Sequence, residues 1–161
     1  MPAALIRLEY INMTFKEKIF HHYLESINAQ VSSFQNTLID LRESAANETK
    51  STVGDKHETA LAMLQIEQAN TSIRLKEALE KKNALEKVNV AAHTLKIIKG
   101  SLVKTNKGYL FLSAALGKIN VNGITIIALS PESPLGSKLM GLKVNDTIEL
   151  NRMTYVIESI E

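Results

Sequence analysis

The chain has 161 residues, 45% hydrophobic and 22% charged: enough apolar residues to fold, too short for two full-sized globular cores. It contains no Cys or Trp and only 5% aromatic residues. That excludes a disulfide framework, a thiolate nucleophile and any Cys-bearing metal centre, and makes an aromatic-lined ligand pocket hard to build. The net charge of +2 conceals an asymmetry, because Ser72–Lys107 carries nine basic residues against three acidic while Ile39–Glu67 carries six acidic against three basic. The basic segment suits a polyanionic partner; the alternative is the solvated face of long helices.

In chain order, Arg7 and Glu9 interrupt the apolar stretch Ala3–Ile6 before a secretory core can form. The longest apolar run, Ile124–Leu129, falls far short of the roughly 18 to 20 residues of a membrane span. Together these point to a cytoplasmic protein without a membrane partner. Helical signals begin just after Met13, so residues 1–13 read as an extension that is disordered or lies upstream of the true start.

No proline lies between Pro2 and Pro131 and no glycine precedes Gly54, so nothing punctuates a long helical stretch. Ile19, Tyr23 and Ile27, then Val31, Phe34, Leu38, Leu41 and Ala45, follow helical spacing, the second set in heptads. They predict a helix from about Thr14 to Ala46. A second helix is predicted from about His57 to Leu95, its apolar face carried by Ala62, Ile66, Ala69 and Ile73 and, after a change of phase, by Leu85, Val88, Ala92 and Leu95. The polar stretch Asn47–Lys56 marks the turn between them. The expected class is α+β: an antiparallel coiled-coil hairpin over residues 14–97 with its tip at 47–58, then a small antiparallel β domain with one short helix over 98–161. Within the β domain, strands are predicted at Ser101–Lys104, Tyr109–Leu112, Ile119–Val121, Ile124–Leu129, Asp146–Leu150 and Met153–Ile157. Asn122-Gly123 signals a hairpin turn, and Ser133, Pro134 and Gly141 frame a helix over Pro134–Met140.

At the tip, Asp55 and Glu58 follow Gly54 at capping-box spacing. The same two carboxylates suit a hard divalent cation, of which they supply only a few of the six oxygens magnesium takes. They would then be a half-site completed by a metal and phosphates of another molecule. His57 invites a zinc reading, but His21, His22 and His93 lie far along the chain. Neither a phosphate-cradling glycine loop nor a G-x-S-x-G elbow is present.

Two stretches resemble a known family. Gly54-Asp55-Lys56-His57-Glu58-Thr59-Ala60 is similar to the G-D-x-x-E-N-A tip motif of the bacterial Gre transcript cleavage factors. Ser130-Pro131-Glu132-Ser133-Pro134-Leu135-Gly136, continuing through Leu139, Gly141, Val144 and Asp146 to Ile148, resembles their S-P-L-G segment. The resemblance implies an FKBP-like fold for the β domain and a factor that docks at the secondary channel of RNA polymerase. The hairpin would enter that channel, and the polymerase would itself cut the backtracked RNA. By position Asp55 and Glu58 match the acids that share the polymerase's magnesium, the factor having no cofactor of its own and no small-molecule substrate. Glu132, Ser133 and Pro134 match the element that contacts the channel rim. Arg74, Lys81 and Lys82 would face the RNA 3′ segment. The chain departs from the motif at Thr59 and Leu61, where the family has Asn and Glu, at Ala62, where it has Tyr, and at Asn145, where Gly is usual. A channel-binding regulator without cleavage stimulation is therefore the alternative; a prolyl isomerase rests on the implied fold alone.

Overall fold

The computed structural model describes residues 10–50 and 54–161, apart from the side chain of Asp55. The chain is α+β: helices α1 (Phe15–Thr49) and α2 (Gly54–Glu86) precede strands β1 (Leu102–Thr105), β2 (Gly108–Leu112), β3 (Gly117–Val121) and β4 (Ile124–Leu129). Helix α3 (Pro134–Leu139) and strands β5 (Thr147–Leu150) and β6 (Met153–Ile160) complete it. Two compact units result. One holds Ser26–Lys82; the other holds the described residues up to Glu25 together with Asn83–Glu161.

In the helical unit α1 and α2 run antiparallel. Gln30 and Phe34 of α1 share a cleft with Ala78 and Lys81 of α2. Further along α1, Leu41 takes a hydrogen bond from Gln68 Nε2 at 3.2 Å, and Glu48 meets His57. The seam of α2 differs from the expected one. Leu61, Leu64, Gln68, Thr71, Leu75, Ala78 and Lys82, spaced 3-4-3-4-3-4, are the buried or half-buried residues. Ala62, Ile66, Ala69 and Ile73 face outward, with Ile66 62% and Ile73 58% exposed. The physical reason is that three of the seven seam positions are polar: Gln68, which reaches the Leu41 carbonyl, the buried Thr71, and Lys82. A search for apolar spacing alone therefore selects the opposite face.

The second helix also stops earlier than its spacing suggests, at Glu86 rather than Leu95. Asn89 Oδ1 accepts from Ala91 N–H at 3.1 Å, a local bond that competes with helical propagation. Leu95, expected on the apolar face, is 88% exposed.

In the β unit the six strands form one sheet in the order β3-β4-β2-β1-β6-β5. All six fall where alternation predicts them, within three residues at the ends. Four pairings are antiparallel, as a mostly antiparallel β domain requires, and the fifth, between β2 and β4, is parallel. The segment between them includes β3, which pairs back onto β4 and leaves β4 pointing along β2. The β3–β4 turn is the expected one, with φ of 53° at Asn122 and 80° at Gly123. Asn145, where the resemblance would place Gly, has φ of 73°, a left-handed conformation that Asn tolerates.

Burial on both faces makes β2 nearly continuous in apolar residues. Leu110 and Leu112 join Ile97, Val103, Leu129, Leu139 and Ile157 in one cluster. Phe111, on the other face, stacks on Tyr23 of α1 with centroids 6.1 Å apart. The Tyr23 hydroxyl lies 2.8 Å from Gly117 O and 3.2 Å from Ile126 O, so one donor joins the first turns of α1 to β3 and β4. Lys16, seven residues earlier on α1, is buried and donates to Ala92 O at 2.8 Å. Burial holds its ammonium below the usual lysine range, opposed by the charge of Glu161.

Burial pushes the Tyr23 phenol up to about 12. An unfolded tyrosine ionises near 10, so the hydroxyl's contribution is complete below about pH 10 and is lost as pH rises through about 12. Tyr23→Phe is expected to cost about 1 kcal/mol at neutral pH. Denaturant titrations of both proteins should show that difference shrinking between those two pH values.

Candidate functional site

The helical unit carries the first candidate. Helix α1 ends at Thr49 and α2 opens at Gly54, whose φ of 45° suits glycine. Asp55 is the second residue of α2; its side chain lies outside the described residues, as do residues 51–53 of the turn. Glu58 follows three residues later, near one turn of helix, and its side chain is exposed. The backbone thus sets both acids at the start of α2.

His57 does not gather the other histidines. Its Nδ1 lies 3.2 Å from Glu48 Oε2, in the last turn of α1. An acid near a helix C-terminus opposes that helix's dipole, and the imidazole across the turn gives its carboxylate a hydrogen-bonding partner. The contact ties the segment bearing Asp55 and Glu58 to the neighbouring helix. Glu48 was not legible as a partner, because nothing in its spacing from His57 encodes the path of the turn. Among the described residues no group of three or more His, Cys, Asp or Glu side chains is placed to hold a metal ion. The oxygen donors at the tip are of the type a hard cation takes.

Of the three basic residues expected to share a face, Arg74 and Lys81 do. One heptad apart, they line a cleft of about 110 Å³ with Gln30, Phe34 and Glu77. Lys82 sits instead at a seam position, half-buried, about 100° around the helix from Lys81.

The β unit carries the second candidate, the loop from Ser130 to Gly136. The Ser133 hydroxyl donates to Ser130 O at 2.7 Å and accepts from Gly136 N–H at 3.0 Å, capping α3 with Pro134 in its first turn. Ser133 is therefore spent on the fold of the loop. Glu132 and Pro134 are exposed beside it. Ser130 Oγ donates to the Glu132 carboxylate and accepts from Glu132 N–H at 3.2 Å. The Ser130 hydroxyl, then the Glu132 backbone N–H, hold that carboxyl below the usual range, with Lys99 adding its charge. Gly136 is required on steric grounds: a Cβ there would lie 2.0 Å from Ser130 O, a backbone atom that cannot yield cheaply. Ser130 and Gly136 were not expected as site residues; their spacing within the S-P-E-S-P-L-G run was the available signal.

Gly136→Ala is expected to destabilise the β unit by about 1–3 kcal/mol, the scale of overpacking, read by thermal unfolding. Ser130→Ala should return the Glu132 carboxyl toward the ordinary glutamate range, read by an NMR pH titration of that side chain. A titration midpoint unchanged by the substitution would show that the hydroxyl is not the cause.

No family model matches the chain, and no curated protein matches it significantly. Among solved structures, the chain is similar to the transcription factor Gfh1, at 16% identity and a TM-score of 0.34, over 85% of this chain and 92% of that one. At that TM-score the likeness bears on neither site nor partner.

Proposed function

We propose that the protein is a transcription elongation factor that enters the secondary channel of RNA polymerase and stimulates cleavage of backtracked nascent RNA. The observation that carries this reading is the start of α2, where an exposed Glu58 follows Asp55 by about one helical turn at the bend of an antiparallel helix pair. In this reading Asp55 and Glu58 are lent to the polymerase's catalytic magnesium. That ion supplies charge stabilisation at the attacked phosphate and the leaving oxygen. The chain's own residues position: the His57–Glu48 contact ties the first turn of α2, which bears Glu58, to α1. Arg74 and Lys81, on one edge of the helix pair, suit the phosphates of the RNA 3′ segment. Glu132, whose carboxyl Ser130 holds below the usual range, and Pro134 suit a basic and apolar contact at the channel rim. The protein performs no catalysis by itself, carries no cofactor of its own and acts in the cytoplasm. No described helix is long and apolar enough to cross a membrane.

A second reading, a channel-binding regulator without cleavage stimulation, is favoured by one observation. Leu61, which stands where the family motif has a third acid, is half-buried in the helix seam. A carboxylate is thus missing from the tip.

The double variant Asp55→Asn, Glu58→Gln is expected to bind polymerase unchanged while cleavage in backtracked complexes falls by about a hundredfold, the scale of losing a preorganised electrostatic contact. Cleavage unaffected by the substitutions would overturn the donated-ligand reading. Binding without cleavage by the unsubstituted protein would establish the regulator instead.

A further inference from the structure

The outer face of α2 carries an apolar stripe, and no described residue of the helical unit covers it. Ala62, Ile66, Ala69 and Ile73 are spaced 4-3-4, and Met63, beside them, is 67% exposed. This is a second heptad stripe, about 150° around the helix from the seam that packs on α1. Stray apolar residues on a surface need no explanation, but a heptad repeat is the specific signature of another helix lying alongside.

We propose that this stripe is a self-association surface through which two copies of the chain pair antiparallel along α2. The sequence is self-complementary about the point between Glu67 and Gln68. In that register Ala62 lies opposite Ile73 of the partner copy and Ile66 opposite its Ala69, and two-fold symmetry repeats both pairs. Every layer therefore sets one small residue against one large, so the two helix axes keep a constant separation. A parallel, in-register pair would instead alternate thin Ala–Ala layers with thick Ile–Ile layers.

The flanking positions agree. In an antiparallel pair, residues following the d positions face one another across the interface. Lys56 of one copy falls opposite Glu77 of the other, and the two-fold axis repeats this ion pair at the far end; both side chains are exposed. Met63 falls opposite Asn70, and Gln65 opposite Ser72, so no like charges meet there. A parallel pair would set Glu77 against Ser72 and lose the match. In the same register Asp55 falls opposite Glu80 beside the Lys56–Glu77 pair, so it is the size match that selects a second copy and its antiparallel direction.

The four layers from Ala62 to Ile73 span about 17 Å of helix, which is short for a coiled coil. The expected dimer is accordingly weak, with a dissociation constant on the order of micromolar. The inference does not rest on the transcription reading, since it uses neither Glu58 nor the Ser130–Gly136 loop.

Sedimentation equilibrium of the full chain tests it. A monomer–dimer equilibrium is expected, and Ile66→Glu should weaken it at least about tenfold, because the carboxylate would be buried without a partner in the dimer. Ile66 is exposed in the single chain, so circular dichroism should report unchanged helix content for that variant. A monomer at every concentration, or a dimer indifferent to Ile66→Glu, overturns the proposal. The register has its own test, clean because the chain has no Cys. Single variants Ile66→Cys and Ala69→Cys should form a disulfide-linked dimer on mild oxidation when mixed and not when kept apart. Cross-linking of either variant with itself, or none in the mixture, overturns the antiparallel arrangement.

Discussion

The arrangement of the helical unit depends on which face of α2 lies against α1. That face is fixed by Leu61, Leu64, Leu75 and Ala78, with Gln68 admitted because its amide reaches the Leu41 carbonyl. Given that phase, helical geometry leaves little else free. Arg74 and Lys81 must share an edge, Lys82 must turn toward the seam, and Ile66 and Ile73 must face outward. A single polar bond from Gln68 to a backbone carbonyl thus accompanies a choice that a more apolar stripe on the same helix would otherwise have contested. A half-buried amide of this kind adds little net stability but disfavours the wrong phase, in which its partner would be missing.

The β unit uses the same economy at its contact with the helix ends. Tyr23 supplies ring area to Phe111 and one hydroxyl to two carbonyls on β3 and β4. Lys16 spends its ammonium on Ala92 O, in the segment that leaves α2. Both are long side chains with a polar end, so each covers apolar surface along its length and closes a backbone valence at its tip. The Ser130–Gly136 loop adds a third case, where a serine capping α3 and another holding Glu132 fix a turn whose exposed residues are an acid and a proline.

How much of this was legible in the sequence follows the range of the interactions involved. The strands, the Asn122-Gly123 turn and the cap of α3 are set by neighbours a few residues apart, and alternation or turn chemistry reveals them. The early end of α2 was hidden because Leu85, Val88, Ala92 and Leu95 keep helical spacing while Asn89 diverts the backbone. The phase of α2 was misread because apolar spacing cannot distinguish a seam from an outer stripe when the seam is the more polar. The parallel pairing of β2 with β4 and the Glu48–His57 contact depend on the chain's path through space, which no local pattern encodes. Asn145 is the converse: it stands where the resemblance would place Gly and adopts a left-handed conformation, which Asn tolerates.

The alternation of Ala with Ile on the outer stripe reconciles two opposed demands. Four large residues at Ala62, Ile66, Ala69 and Ile73 would make a continuous apolar patch that a free chain could scarcely keep in water without aggregating. Four small ones would leave nothing to bury. Placing small residues at every second heptad position keeps the isolated helix soluble, and only an antiparallel copy restores full layers by supplying the missing volume. The same device limits affinity, because each layer contains a single isoleucine, so association responds to protein concentration instead of being permanent. A face meant for the interior of a stable bundle would have no reason to ration its bulk in this way.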